Sequence, residues 1–307
     1  MLDLTKLQSF LHVAQSMSFS EAAVHLNVSQ PTISHHVKIL ERDLGVTLFK
    51  RAGSGLRLTE AGWLLLPRAR KLVREAIEVQ QMMESLEDRI VGQLRIACST
   101  TAGKYITPQF AGRFRGRHPD VNVSILKCTS PVVVPCLLKE EADVGVVSYD
   151  ACGQGMECQE FFSDHIIFVV PANHSWASRP SITPSELIEI PMIIREPTSG
   201  TRHALIAELG KHSITLDDLN IFMEVSNAEA IVKVVEAGFG AAFVSRLAVA
   251  WALANRAVVQ IPVVDFDLRR TIYLIKPGVQ ETNRAIEAFW GFVHDPSNSD
   301  LLRLAER

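Results

Sequence analysis

The sequence predicts a mixed fold in three parts. A mainly α winged helix-turn-helix domain covers residues 1–58, a long linker helix 59–91, and a two-lobed α/β domain 92–307. Three observations predict it. Residues 19–44 read as two short helices joined by a tight turn, the second with a polar stripe opposite an apolar face. Between residues 65 and 90 apolar side chains repeat every seven positions. From residue 93 onward short β-rich runs alternate with helical stretches.

The first part opens with a helix over 2–15 whose Leu4, Leu7, Leu11 and Ala14 point inward. In the next helix Ala22 and Ala23 are small enough for a close helix crossing, and Asn27-Val28 makes the turn. Ser29 is the N-cap of the third helix and Pro31 falls in its first turn, where a missing N–H costs little. Val28 and Ile33 have the spacing of a hydrophobic staple. Ile33, Val37, Leu40 and Leu44 form the buried face. Gln30, Ser34 and Lys38 form a stripe at i, i+4, i+8, with His35 and Arg42 beside it. Such side chains reach base edges and phosphates in a DNA major groove, so Gln30, Pro31, Ser34, His35 and Lys38 are the candidate reading residues. Residues 48–58 read as a wing. Lys50 and Arg51 precede a Gly53-Ser54-Gly55 tip, and Arg57 alternates with Leu56 and Leu58. Arg51 and Arg57 are the candidate phosphate contacts.

In the linker helix Leu65, Leu72, Val79 and Leu86 interleave with Ala69, Ala76, Met83 and Ile90, an a/d seam over four repeats that favours pairing with a second copy. Pro67 is too deep to be a first-turn proline and should bend the helix near its start, and Gly92 stops it.

Five stretches in order carry a family signature: Ser18-Phe19-Ser20-Glu21-Ala22-Ala23, Ser29-Gln30-Pro31-Thr32-Ile33-Ser34, Leu40-Glu41-Arg42-Asp43-Leu44-Gly45, Leu48-Phe49-Lys50-Arg51 and Leu58-Thr59-Glu60-Ala61-Gly62. The chain resembles the LysR-type transcriptional regulators on these motifs, and more weakly through the rest of its length. One departure is His35, where many members carry Arg, so base preference there is open and sensitive to pH. The resemblance implies a periplasmic-binding-protein-like sensing domain, binding to double-stranded promoter DNA, contact with RNA polymerase, a small-molecule effector, and a homodimer or homotetramer.

For the α/β part, strands are expected over 93–98, 121–127, 142–148, 166–171, 192–195, 221–225, 241–244, 258–261 and 271–275, in mainly parallel sheets. Helices are expected over 107–117, 131–139, 201–210, 228–237, 247–254 and 282–293. The resembling architecture puts lobe I at 92–162 and 268–307 and lobe II at 163–267, with a hinged cleft between them. Two stretches between strand and helix could line it: Ser99-Thr100-Thr101-Ala102-Gly103 and Thr198-Ser199-Gly200-Thr201-Arg202. Hydroxyls and N–H groups at two facing helix N-termini would clasp a small oxyanion or carboxylate. Each alone reads equally well as a simple N-cap. The resemblance places effector contacts in these stretches, so Ser99, Thr101 and Thr201 are carried over as hydroxyl contacts with Thr100 and Ser199 beside them, and Ser148 is added from the strand end where the lobes should meet; Arg202 reads as a charge partner or as a solvated first-turn residue, and Thr129-Ser130-Pro131 as a further rim. Residues 195–202 resemble the branch regulating sulfur assimilation or carbon fixation.

Composition bounds the alternatives. The net charge of −3 requires a DNA reader to concentrate its basic groups locally. No cleavable leader pattern and no apolar run of roughly 18 residues is present, so a cytoplasmic protein without membrane contact is expected. Five cysteines without a leader read as reduced thiols, the alternative being a redox switch between Cys152 and Cys158. No HExxH, C-x-x-C, Gly-x-Ser-x-Gly or dinucleotide fingerprint occurs, so neither an enzyme, a metal site nor a cofactor is expected. A ligand-independent architectural DNA binder is the remaining alternative.

Overall fold

The computed structural model describes residues 2–52, 55–84, 89–98, 100–153, 155–278 and 283–306. It divides into two compact units, Met1–Arg89 and Ile90–Arg307.

The first unit holds helices α1 (Leu4–Ser16), α2 (Phe19–His25) and α3 (Gln30–Leu44), strands β1 (Phe49–Ala52) and β2 (Gly55–Leu58), and helix α4 (Glu60–Glu84). Polar residues stand where the helices need caps. Asp3, Ser18 and Ser29 accept from the first-turn N–H groups of α1, α2 and α3. Asn27 takes the left-handed turn between α2 and α3 at φ 52°, a conformation Asn tolerates. The Glu41 carboxylate accepts from the N–H groups of Leu48 and Phe49 at 2.7 and 3.3 Å, tying the start of the wing to the end of α3. Gly62 must be glycine, because a Cβ there would collide with the Leu48 carbonyl where α4 crosses the wing. Leu7, Phe10, Leu40, Leu48, Leu58, Ala69 and Val73 form one core cluster. Val13, Ala22, Ala23, Ile33 and Val37 form a second. Leu4 and Leu44, expected inward, are exposed; they lie at helix ends that overshoot the core.

Helix α4 carries two apolar stripes where the sequence suggested one. Ala69 and Val73 are buried in the unit's own core, with Leu65, Leu66 and Ile77 packed against it. Leu72, Val79 and Met83 point away and stay 39%, 57% and 57% exposed. The expected seam is thus divided: Leu65 and Ala69 serve the unit itself, and only the later positions are open to a partner. The described helix ends at Glu84, residues 89–91 are not helical, and Leu86 lies outside the described residues. Pro67 sits inside α4, so the Trp63 carbonyl lacks its usual N–H partner.

In the second unit β3 (Gly92–Cys98), α5 (Thr100–Tyr105), α6 (Thr107–Arg117), β4 (Val121–Lys127), α7 (Ser130–Leu138) and β5 (Val144–Val147) come first. Strand β6 (Met156–Pro171) follows, then β7 (Met192–Arg195), α8 (Gly200–Lys211), β8 (Ile221–Val225), α9 (Ala228–Glu236), β9 (Ala242–Ser245), α10 (Arg246–Ala254) and β10 (Val258–Gln260). The chain closes with β11 (Arg269–Pro277), α11 (Arg284–Phe292) and α12 (Ser299–Glu306). The sheets are mixed rather than mainly parallel. β3 pairs parallel with β4 and β5, but β11 runs antiparallel to both β5 and β6. The reason is β6. Its first half pairs with β11 and its second half with β9 and β10, all antiparallel, so one long strand runs through both lobes. Leu94, Ile96, Phe110, Phe114, Leu274 and Phe289 fill the first lobe's core. The second lobe has an apolar cluster around Phe168, Ile194 and Leu205 and another around Val169, Ile231 and Val244. Phe168 and Val169 are neighbours on β6, so the two clusters lie on opposite faces of its sheet. Among the described residues no helix is long and apolar enough to cross a membrane.

Candidate functional site

Each unit carries a candidate site. In the first, burial of Ile33, Val37 and Leu40 turns the opposite face of α3 outward. Gln30, Pro31, His35 and Lys38 are exposed there, and Ser34 is half-buried. The β1–β2 register refines the wing. Lys50 stands opposite Arg57, and Arg51 opposite Leu56. Adjacent strand positions face opposite sides, so Arg51 and Arg57, which the sequence grouped together, lie on different faces. Arg57 shares its face with Lys50, and all three basic residues are exposed. Two like charges directly across a hairpin destabilise it unless an anion bridges them. Lys50 is thus a phosphate candidate that strand alternation alone could have found.

In the second unit a cleft of about 290 Å³, open solvent included, is lined by Thr101, Thr129, Ser130, Ser148, Arg195, Glu196, Thr198, Ser199, Gly200 and Arg270. Thr101, Ser148 and Ser199 were expected there, and Thr129 and Ser130 as its rim. Ser199 is the N-cap of α8 but makes no side-chain cap bond, which leaves its hydroxyl and the first-turn N–H groups of α8 for another acceptor or donor. Gly200 permits the close approach of α8, since a Cβ would meet the Ser148 hydroxyl and, at 3.2 Å, the Arg270 guanidinium.

The cations that line the cleft are Arg270 and Arg195, and Arg202 is not among them. Arg202 Nη1 donates to the Arg195 carbonyl at 2.8 Å and to Glu224 at 2.5 Å, and it does not line the cleft. Position i+1 beyond Thr201 turns it to the other side of α8. Thr201 is buried behind the cleft, where its hydroxyl accepts from Arg270 Nη1 at 3.1 Å. Arg270 is held from behind by Asp164, with Nε at 2.8 Å and Nη2 at 2.6 Å from Oδ2, and Ser245 donates to the other carboxylate oxygen at 2.6 Å. Arg270 is 8% exposed and Asp164 1%. Arg195 and Glu196 form a second fork-to-carboxylate pair at 2.8 and 2.9 Å. Ser99 lies outside the described residues, as does the Thr100 side chain. Helix α5 has six residues against twelve in α8, so its macrodipole is the weaker of the two.

A polar latch joins α5 to α9 across the lobes. Tyr105 donates to Glu229 at 2.6 Å and Lys104 pairs with the same carboxylate. Hydrogen bonds from Lys104 and Tyr105 hold the Glu229 carboxyl below its usual range, and burial, then Glu229, pushes the Tyr105 phenol up.

The family described as the LysR substrate binding domain matches residues 87–296. The bacterial regulatory helix-turn-helix protein, lysR family, matches residues 4–63. A probable RuBisCO transcriptional regulator of Nostoc sp. is 30% identical over 312 residues, covering 99% of this chain and 93% of that one. Full-length CbnR complexed with its target DNA superposes with a TM-score of 0.70 at 22% identity, over 95% of this chain and 99% of that one. The regulatory domain of Synechocystis CcmR in complex with 2-PG covers 70% of this chain and 98% of its own length at a TM-score of 0.59 and 22% identity.

Proposed function

The chain belongs to the LysR family of transcriptional regulators, with a helix-turn-helix and an effector-binding domain, and from that membership we propose that a small oxyanion or carboxylate bound in the cleft controls its action on promoter DNA. The observation that carries this reading is Arg270, a nearly buried guanidinium in the wall of a cleft otherwise lined mainly by hydroxyls and the α8 N-terminus. Relatives named for RuBisCO regulation and a neighbour solved with 2-PG favour the carbon-fixation branch and a small acid as effector. Residues 1–58 read DNA, 59–91 link and pair the chains, and 92–307 sense the effector. The protein acts in the cytoplasm, beside the chromosome, and meets RNA polymerase there.

The test is thermal stability of the full chain against 2-PG, phosphate, sulfate, shikimate and common metabolic carboxylates. A ligand that binds only the folded state must stabilise it in proportion to ln(1 + [L]/Kd). One saturable shift, lost in Thr101→Val, is expected; a flat response across the panel would sink the anion reading.

Two further results follow from the first unit. Lys38→Ala and Arg51→Ala should weaken promoter binding and each lower the slope of log K against log salt by about 0.9. A slope equal to that of the unaltered protein would remove them as phosphate contacts. Leu72→Glu should lower the dimer population in sedimentation, because a carboxylate in the exposed stripe must be desolvated on pairing. An undiminished dimer would place the interface elsewhere.

A further inference from the structure

The effector-binding domain carries a group the proposed function does not use. Cys152, in the segment between β5 and β6, is joined by a disulfide to Cys158 near the start of β6, with Cα atoms 5.7 Å apart. Cys152 is exposed and Cys158 half-buried. Cys98, Cys128 and Cys136 are free thiols. Burial pushes the Cys98 thiol up to about 12, and burial with Cys128 nearby pushes Cys136 up to about 11. Thiols held protonated in an apolar setting exchange slowly. The pair accessible to exchange is Cys152 and Cys158.

That pair is wired to the wall of the cleft. Ser148, four residues ahead of Cys152, lines the cleft. Tyr149 donates to the carbonyl of Ser130, another lining residue, at 3.4 Å. The Asp150 carboxylate accepts from the Cys152 N–H at 2.8 Å, and Gly278 donates to the Gly155 carbonyl at 2.9 Å. Cys158 stands on β6 opposite Ile275 of β11. The disulfide therefore closes a short ring between the segment that presents Ser148 and the strand that runs on into the second lobe.

We propose that the Cys152–Cys158 disulfide is reversible and that its redox state is a second input, tightening or releasing the Ser148–Tyr149–Ser130 wall of the cleft. Where thiol buffers keep most cysteines reduced, a disulfide is as a rule transient and regulatory rather than structural. The reductant is a dithiol. Its thiolate attacks the exposed Cys152 sulfur, the S–S bond breaks, and Cys158 leaves as a thiolate and takes a proton. The reductant's second thiolate then displaces Cys152, which is protonated in turn. The pair gains two electrons and two protons, and the dithiol becomes a disulfide. Asp150 lies with both sulfurs inside a 4.8 Å cluster. Its negative charge repels an attacking thiolate and a departing one, and so slows exchange at the pair. The redox step stands independently of any ligand; only its consequence for affinity rests on the cleft being the effector site.

The test uses the full-length protein equilibrated across glutathione ratios, quenched in acid, alkylated and mapped by peptide mass, with amide exchange measured at both extremes. The expected result is a reversible transition confined to Cys152 and Cys158, from five alkylatable thiols when reduced to three when oxidised. Reduction should speed exchange in peptides spanning residues 129–134 and 148–152, and Cys152→Ser with Cys158→Ser should hold the fast state in every buffer. Asp150→Asn should speed reduction of the pair at a fixed glutathione ratio. Five thiols at every ratio, a bond that survives every ratio, or a crosslink between Cys128 and Cys136 instead would overturn the redox site. Equal exchange in the two redox states would overturn the coupling to the cleft. None of these readouts needs a bound effector, so failure of the anion reading would leave them intact.

Discussion

Arg270→Ala is expected to cost the effector-binding domain about 3–5 kcal/mol and to erase effector-induced stabilisation. The stability loss comes from Asp164. Its carboxylate is 1% exposed and keeps only the Ser245 hydroxyl once both guanidinium contacts are removed. The response loss comes from the cleft: the charge of Arg195, the other lining cation, is offset inside the lining by Glu196, whereas the partner of Arg270, Asp164, is not a lining residue. Arg270→Lys separates the two effects. An ammonium can neutralise Asp164, but it cannot also hold Thr201 and face the cleft with a planar fork. The lysine variant should therefore regain much of the stability while responding weakly to 2-PG or whichever acid shifts the unaltered protein. Urea unfolding and thermal shift measure the two quantities. An alanine variant as stable as the unaltered chain would show that the Asp164 pair is not a structural anchor, and a full anion response in that variant would remove Arg270 from the site.

Phe10→Ala should be as severe for DNA binding without touching the cleft. Phe10 is fully buried at the junction of α1 with the wing, its ring 5.4 Å from that of Phe49, in a cluster that also includes Leu40 of α3 and Ala69 of α4. Truncating a buried phenylalanine costs about 3–5 kcal/mol, a large share of the stability of so small a domain. Promoter binding measured by fluorescence anisotropy should fall by orders of magnitude at physiological temperature and recover partly on cooling. Anion-induced stabilisation of the second unit should persist. Promoter affinity close to that of the unaltered protein would mean that the α1–wing contact does not hold the reading helix in place.

Local patterns in the chain were enough to place the reading helix. Ser29, Pro31 and the Ile33–Val37–Leu40 face act within one helix, and the cap and burial they imply are present. The strands 121–127, 192–195 and 221–225 were legible for the same reason, since their β-branched runs are bounded by turns and caps. The divided seam of α4 was not legible. A heptad records that a residue is apolar but not which neighbour covers it, and Ala69 turned out to serve its own core. The first half of β6 was missed because Glu157, Gln159, Glu160 and Asp164 interrupt its apolar pattern, and its pairing with β11 spans more than a hundred residues.

The cleft shows the division most clearly. Its hydroxyls, Thr101, Ser148 and Ser199, could be named because strand-to-helix junctions announce where N–H groups and caps will lie. Its cation could not. Arg202 sits beside the right motif, yet helix geometry turns it to Glu224, while Arg270 arrives from a strand 68 residues later, beside Asp164 in the β6–β11 register. The sequence alone determined the family, the reading helix and the hydroxyl-rich stretches, because those depend on interactions within a few residues. Tertiary structure decided which charge faces the cleft, because that depends on where distant strands bring their side chains together.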